Sequence, residues 1–534
     1  MQIMRIVWRD CAVSLMDSYR AGFHSFIAAC RRGRAILSLL FAVAGVWAVS
    51  GQDVRVEVTY AFDVPQIATV KDEYTRLSVK GCAAFQKIGQ PEVPFRTGKI
   101  LLPLGAQVKQ VDVELLQAVQ TLSVTKPLTF GRTPVPIGVK DHPAVARAAR
   151  DAPDHNTYAA DAPYPASRVQ LVSVQKMNGY SVAIVRIFPI QYQPASGKLL
   201  FCPQMRVSVT LAEAKAAVND VSLLRRQDPQ LSKIITFADN PDAAEAYHAQ
   251  VLRSVKPLMV FDYLLVTTAA LTNSFQPLVE QKIADGLSVK VETVENILAG
   301  YSGVDDAAKL RTFITYAYTN WNTTYVLLGG DISTVPYRQA YANVGGDVDA
   351  TMPCDLYFAC LDGSWNSDGD NNWGEPTDGE GGGDVDLLAE VYVGRAPVDN
   401  AAEVAYFIGK TLSYEQNKHA NAASARFLAE YLGNYGGTHA QGGDSLDTLM
   451  PSFSAYEVDW LDDRPTNGET WSASDCVDAL NLSPHLVAHD GHANETYALR
   501  MDNSDIDALS NAEPFLLNSL GCYCGAFDYS DCFA

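Results

Sequence analysis

Near residue 257 the chain changes rhythm, and this constrains its fold more than any other feature. Residues 52–212 hold short β-type runs (Val54–Val58, Ile100–Leu102, Val108–Val113, Val169–Val174, Tyr180–Phe188, Met205–Leu211) broken by turn residues such as Pro103-Leu104-Gly105 and Pro194-Ala195-Ser196-Gly197. Helical periodicity is nearly absent there, which reads as an antiparallel, sandwich-like β domain interrupted by a polar loop over about 140–166. After 257, strands alternate with helices: Leu258–Val266, then Phe275–Asp285; Ser288–Val294, then Asp305–Trp321; Tyr325–Leu328; Ala389–Val393, then Ala401–Gln416; and Arg426–Leu432. Strands separated by helices of such length make βαβ units, so 257–534 is expected to be an α/β domain of three layers, α/β/α, with a mostly parallel sheet.

The segment between, 213–256, turns to Ala, Asp, Lys and Arg with weak helical periodicity. It reads as a solvated linker helix, or as a processing site at Arg225-Arg226, since nicking concentrates in exposed linkers. At the other end, Arg31-Arg32-Gly33-Arg34 precedes an apolar stretch, Ala35–Val49, and the small residues Ala48-Val49-Ser50-Gly51. That is the pattern of a signal peptide cleaved near 50–51, with 1–30 as an upstream extension. The stretch is short for a membrane span, so the expectation is a secreted or cell-surface protein without a membrane anchor. A net charge of −20 argues against nucleic acid or an anionic membrane as partner. Eight cysteines follow the signal, and an oxidising compartment permits disulfides; Cys82–Cys202 and Cys354–Cys360 are candidate pairs, though connectivity is not fixed by sequence.

Two residues carry the chemistry. His492 follows Leu486-Val487-Ala488 and Gly491; Cys522 follows Phe515–Leu520 and Gly521. Reactive groups in open α/β sheets collect just beyond the carboxyl ends of strands. The 30-residue separation admits one strand–helix–strand unit, which sets the two strand ends side by side. A thiol needs a base or cation to become a thiolate, and His492 can supply it. Backbone N–H groups of Cys522 and Ala493 would form an oxyanion hole if both loops turn sharply, with Gly491 and Gly521 expected to supply positive φ. His485, His489 and His492 also raise zinc, but i and i+4 on a strand lie roughly 13 Å apart, too far to share one metal; His489 is expected to be a polar neighbour of the cleft.

The loop Asp362–Glu375 places oxygen side chains alternately around glycine and ends in Glu: Asp362, Asn366, Asp368, Asp370 and Glu375. That is the donor set of a structural Ca²⁺ site, to which Asp384 and Asp386 stand near enough in sequence to contribute. No cofactor is needed for the thiol chemistry itself.

Several ordered segments resemble the gingipain-type cysteine peptidases, a family with a caspase-like fold. They are Tyr263–Thr268, Lys282–Val289, Tyr325–Asp331, Asp355-Leu356-Tyr357, Val393–Pro397, Glu403–Glu415, Gly491-His492 and Cys522–Phe527. Gly89–Pro94 and Leu101–Ala106 resemble the family's β-rich propeptide. The resemblance implies a zymogen whose intramolecular propeptide occupies 52–212 and whose substrates are proteins or peptides, with Cys522 as nucleophile and His492 as general acid/base. It places the specificity-setting acid near Asp444, which would suit a basic P1 side chain. Two positions depart from it: Ala493 stands where the family carries Gly, and the supporting acid falls near Asn434. The 12 residues after Cys522 imply a catalytic domain truncated at its C-terminus. The alternative is a catalytically inactive surface or secretion-accessory protein that retains the fold.

Overall fold

The computed structural model describes residues 54–533, apart from 71–72, 104, 135–142, 213–227, 245–258, 345, 380–382, 417–419, 436–437 and 467, together with the pair Ile3–Met4. The signal-like segment and Arg225-Arg226 lie outside the described residues.

The N-terminal region is built from antiparallel sheets around one core. In one of them Gln204–Leu211 is the central strand, between Arg55–Ala61 and Val108–Leu115. Val207 faces Val58 on one side and Val113 on the other. A second sheet runs Ala83–Phe85, Val93–Leu101, Tyr180–Ile187, Val169–Met177, and a third Ile190–Gln193, Lys198–Phe201, Gln120–Ser123. Tyr60, Ile100, Val185, Ile190, Phe201 and Val207, drawn from all three, share one buried cluster. Period-two alternation puts one face of each strand into that common core. The helix Asp228–Phe237 does not run free in solvent, as its composition implied: Ile234 is fully buried against Leu101 and Val182, and Asp239 accepts hydrogen bonds from the Tyr60 hydroxyl (2.8 Å) and the Lys99 N–H (2.9 Å).

The strand–helix alternation is realised in two parallel sheets. The first has the order Val289–Thr293, Tyr263–Thr267, Tyr325–Gly329, Tyr392–Ala396. Leu264, Val266, Val326 and Leu328 point to the side of the helices Val294–Gly300 and Asp306–Trp321. Leu265 and Leu327 point oppositely, to Gln276–Ala284 and Ala401–Gln416. Apolar residues on both faces are what a sheet covered on both sides requires. The second sheet has the order Glu457–Asp462, Ser424–Ala429, Leu486–Asp490, Phe515–Ser519, with the short strand Ile3–Met4 beside the last. The helix Ala473–Asn481, opened by a Ser472/Asp475 capping box, covers one face with Cys476 and Leu480. Leu446 and Phe453 cover the other.

The two regions interlock at a turn. Asn178 and Gly179 (φ 49° and 80°) join Val169–Met177 to Tyr180–Ile187 as the two-residue, doubly left-handed turn that Asn-Gly favours. Asn178 is fully buried: its N–H donates to Glu390 Oε1 (2.9 Å), and its Nδ2 donates to the Tyr318 hydroxyl (3.0 Å) and the Glu390 carbonyl (3.1 Å). Lys176 N–H donates to Asp386 Oδ2 (2.7 Å). Glu390 lies just before the amino end of strand Tyr392–Ala396. Burial pushes the Asp386 carboxyl up to about 7 and raises Glu390 well above the carboxylate range, each reinforced by Asp362.

None of the eight described cysteines is in a disulfide, so neither Cys82–Cys202 nor Cys354–Cys360 closes.

Candidate active site

Strand register brings the two candidate loops together. Leu486–Asp490 and Phe515–Ser519 are parallel neighbours, and His489 pairs with Ser519. His492 and Cys522 therefore each leave the same edge three residues beyond a paired position. The loops touch: a Cβ built on Gly521 would lie 2.5 Å from Ala493 Cβ. A Cβ on Gly491 would overlap the His489 ring and the Glu430 carboxylate. Neither glycine takes positive φ, contrary to expectation; close approach is what requires them. The left-handed residue of the turn is Tyr523 (φ 58°).

His492 is half-buried. Its Nε2 lies 3.2 Å from the Tyr431 carbonyl, which can only accept, so Nε2 carries the hydrogen. In the neutral ring Nδ1 then holds the lone pair, and it is buried with no hydrogen-bond partner. That nitrogen is left to take a proton. Cys522 is half-buried and Ala493 is buried.

A buried acid underlies both loops, four residues before Asn434. Glu430, 2% exposed, accepts the His492 main-chain N–H at Oε2 (3.2 Å) and faces His489 Nε2 through Oε1 (3.0 Å). It lies 3.8 Å from Arg500, which also pairs with buried Asp463. His489 is fully buried, with Nδ1 2.8 Å from Ser519 Oγ. His485 bonds the Tyr414 hydroxyl (2.7 Å) and the Ala422 carbonyl (2.8 Å). The three histidine rings thus have separate partners, although Glu430 also holds the His492 main chain. Asp444, in the short helix Gly442–Leu446, stands 3.8 Å from Arg464, which also binds Asp447 and Asp462.

Of the cation-loop residues, Asp368, Asp370 and Glu375 converge, their carboxylate oxygens within 4.8 Å of one another. Partial desolvation and then Asp370 and Asp368 raise Glu375. Asn366 Nδ2 donates to the Asp370 carbonyl (2.9 Å), leaving Oδ1 buried without a hydrogen-bond partner. Asp362 does not join them: its charge acts on Asp386 and Glu390. Asp384 is held by Ser364 and Asp386 by the Lys176 and Leu388 N–H groups.

Arg395 fixes the neighbouring wall. It pairs in two-pronged fashion with Asp355 (2.7 and 2.8 Å) and donates to the carbonyls of Gly330, Val335 and Pro336 (each 3.0 Å), with the Phe527 ring 5.2 Å away. Beside it a cleft of ≈ 720 Å³ opens between the two sheets, lined by Tyr406, Phe407 and Lys410 on one side and Ser519, Gly521 and Cys524 on the other. Cys522 is not among the residues lining it.

Two parallel sheets with a thiol and an imidazole at the ends of adjacent strands, preceded by an interlocked β domain, belong to a chain that matches a cysteine-peptidase family with its propeptide. The chain belongs to peptidase family C25: the family model matches residues 256–534, and that of the C25 propeptide matches 46–239. No curated protein matches the chain. Among solved structures it is similar to the Arg-specific cysteine proteinase gingipain R, RgpB (18% identity, TM-score 0.40, covering 52% of this chain and 60% of that one). It is likewise similar to the complex of Porphyromonas gingivalis RgpB pro- and mature domains (19%, 0.39, 51% and 58%). A third match is gingipain K of the same organism, in a structure of its zymogenic latency (17%, 0.23, 30% and 86%). The chain thus spans about three fifths of the RgpB chains it matches.

Proposed function

We propose that this chain is a secreted cysteine endopeptidase made as a zymogen. The observation that carries the reading is the register of His489 with Ser519, which sets His492 and Cys522 at equivalent points of adjoining loops. His492 Nδ1 takes the Cys522 thiol proton; the thiolate adds to the scissile carbonyl, and the Cys522 and Ala493 N–H groups bind the oxyanion. The imidazolium then gives its proton to the leaving amine. Water, deprotonated by the same ring, cleaves the thioester and restores the thiol.

The signal-like residues 31–51 support export, and Arg225-Arg226 is the proposed processing site. Asp444 is the proposed acid for a basic P1 residue, which would compete with Arg464 for it. Asp368, Asp370 and Glu375 would hold a structural Ca²⁺, whose charge would offset their mutual repulsion.

Iodoacetamide labelling tests the dyad. Labelling at Cys522 should be fast and pH-dependent, and should slow about 10²-fold in His492→Ala, with peptide hydrolysis lost in Cys522→Ala. Slow labelling indifferent to His492→Ala would overturn the reading.

A further inference from the structure

We propose that Ser519 is a positioning residue for the turn that delivers Cys522, held in that role by His489 and Glu430; this rests on Cys522 being the nucleophile. Ser519 ends its strand one residue before Leu520-Gly521. Its Oγ meets three groups: His489 Nδ1 (2.8 Å), the Gly521 N–H (3.0 Å) and the Cys524 thiol (3.5 Å).

The proton arrangement follows from the partners. Glu430 is a carboxylate acceptor facing His489 Nε2, so Nε2 carries the hydrogen and Nδ1 of the neutral ring carries the lone pair. The Ser519 hydroxyl must then donate to Nδ1. Both its lone pairs remain free to accept, and one takes the Gly521 N–H; the single Cys524 thiol hydrogen is divided between Ser519 Oγ and the nearer Gly521 carbonyl (3.2 Å). A serine with rotational choice is thereby fixed as an acceptor under the turn, and full burial of His489 keeps water from competing.

One carboxylate thus sets both loops. Oε2 of Glu430 accepts the His492 main-chain N–H directly. Oε1 acts through His489 and Ser519 on the Gly521 main-chain N–H, one residue before the thiol. Ser519 touches no reacting atom. Its effect is on the direction of the Cys522 N–H, where a misplacement of about 1 Å costs on the order of 10² in rate.

The test compares Ser519→Ala, which cuts the branch, with Ser519→Thr, which keeps the hydroxyl, in the full chain and after its processing. Expected for Ser519→Ala are a kcat about 30-fold lower, KM within about twofold, and Cys522 alkylation near the parent rate, because the His492 base is untouched; Thr should recover most of kcat. Amide exchange across 519–524, followed by mass spectrometry, should accelerate about tenfold in Ala and not in Thr, the worth of one hydrogen bond. This arm does not require turnover. Parent kcat or unchanged exchange in Ser519→Ala overturns the proposal. So does loss of alkylation together with kcat, which would assign Ser519 to the fold at large. Turnover surviving in Cys522→Ala would instead sink the nucleophile assignment.

Discussion

Asn178 of the prodomain turn and Glu390 of the peptidase region share two hydrogen bonds across a fully buried contact, main chain to carboxylate and side-chain amide to carbonyl. They join residues 212 apart in sequence, at the amino end of a strand whose carboxyl end, at Arg395 and Pro397, lines the cleft beside the Cys522 loop. The prodomain is therefore anchored at the far end of that strand from the cleft. Asn178→Ala removes Nδ2 and strips both the Tyr318 hydroxyl and the Glu390 carbonyl of a partner, a cost of about 2 kcal/mol. Nicked between 213 and 256, the variant should release its prodomain at about 30-fold lower dilution stringency than the parent in gel filtration, with Gln175→Ala, at the contact's 3.3 Å edge bond to Val385, as the milder control. Equal retention in both variants would show that the turn is not the anchor.

The same contact makes the stability of the fold pH-dependent. Burial raises Asp386 to about 7 and Glu390 upward, so the folded state favours their protonated forms. Asp362 raises both, while Lys176 opposes the shift at Asp386 and the Leu361 and Asn178 N–H groups oppose it at Glu390; Lys233 and Arg311 are other nearby charges. The sign is then fixed: an acid whose pKa is raised on folding stabilises the fold below its unfolded value, and that contribution fades as pH rises through about 7. These two groups should make the urea midpoint of the full chain fall between pH 5 and pH 8. Asp386→Asn and Glu390→Gln should flatten the profile; an unaltered profile in the double variant would assign the dependence to other groups.

Much of this was legible in sequence because it rests on local pattern. The helix Ala401–Gln416 and the strands at Tyr263 and Tyr325 follow from periodicity, and the adjacency of the His492 and Cys522 loops follows from two apolar runs ending in glycine. What depended on distant partners was not legible. The strand expected at Ala389–Val393 begins instead at Tyr392, where its partner strand begins at Tyr325, and the N–H groups of Glu390 and Val391 turn to the Ala359 carbonyl. The strand Glu457–Asp462 stands outside the expected set although its Glu457-Val458-Asp459-Trp460 alternation fits a period of two; Ser424–Ala429 pairs with it. Glu430 stands at the end of the apolar run Phe427-Leu428-Ala429, a local hint, yet its partners His489 and His492 lie 59 and 62 residues away. Gly491 and Gly521 were expected for their dihedral freedom and are needed for clearance.

Calcium should act on the loop around Asp368. Three converging carboxylates repel one another, and Ca²⁺ would relieve that repulsion. Millimolar Ca²⁺ should raise the Tm of the full chain by about 3 °C, reversed by chelator and lost in Asp368→Asn/Asp370→Asn. That double variant should also be more stable than the parent without Ca²⁺. A parent Tm indifferent to Ca²⁺ would leave the cluster a solvated acidic loop.

Arg395→Lys is conservative in charge only. A lysine has three donors on one nitrogen, whereas Arg395 serves Asp355 twice and three carbonyls at once while 3% exposed. Losing that planar fork strands carbonyls of the 330–336 loop, at a cost of about 3 kcal/mol. The urea midpoint should fall accordingly, with Asp355→Asn milder because the carbonyl bonds survive. If Lys is tolerated within about 1 kcal/mol, the hub is not what holds this wall.

Gly521 and Ala493 offer a test of the loop contact itself. A methyl at 521 would meet the Ala493 methyl at 2.5 Å, then Ser519 Oγ at 3.1 Å and the His489 ring at 3.6 Å. Overpacking of this kind costs about 1–3 kcal/mol, and here it would push the Cys522 loop away from the His492 loop. Gly521→Ala should therefore lower both Tm and turnover. Ala493→Gly alone should do little, since the Cβ it removes is small and no polar group is exposed by its loss. Together the two substitutions should recover most of the stability, because the obstructing methyl is gone and only the tolerable Ser519 approach remains. A double-mutant cycle reads this as a coupling of about 1 kcal/mol or more, well outside the additive range for independent sites. Strict additivity would mean that the two loops do not touch as described, and the juxtaposition of Cys522 with His492 would lose its support.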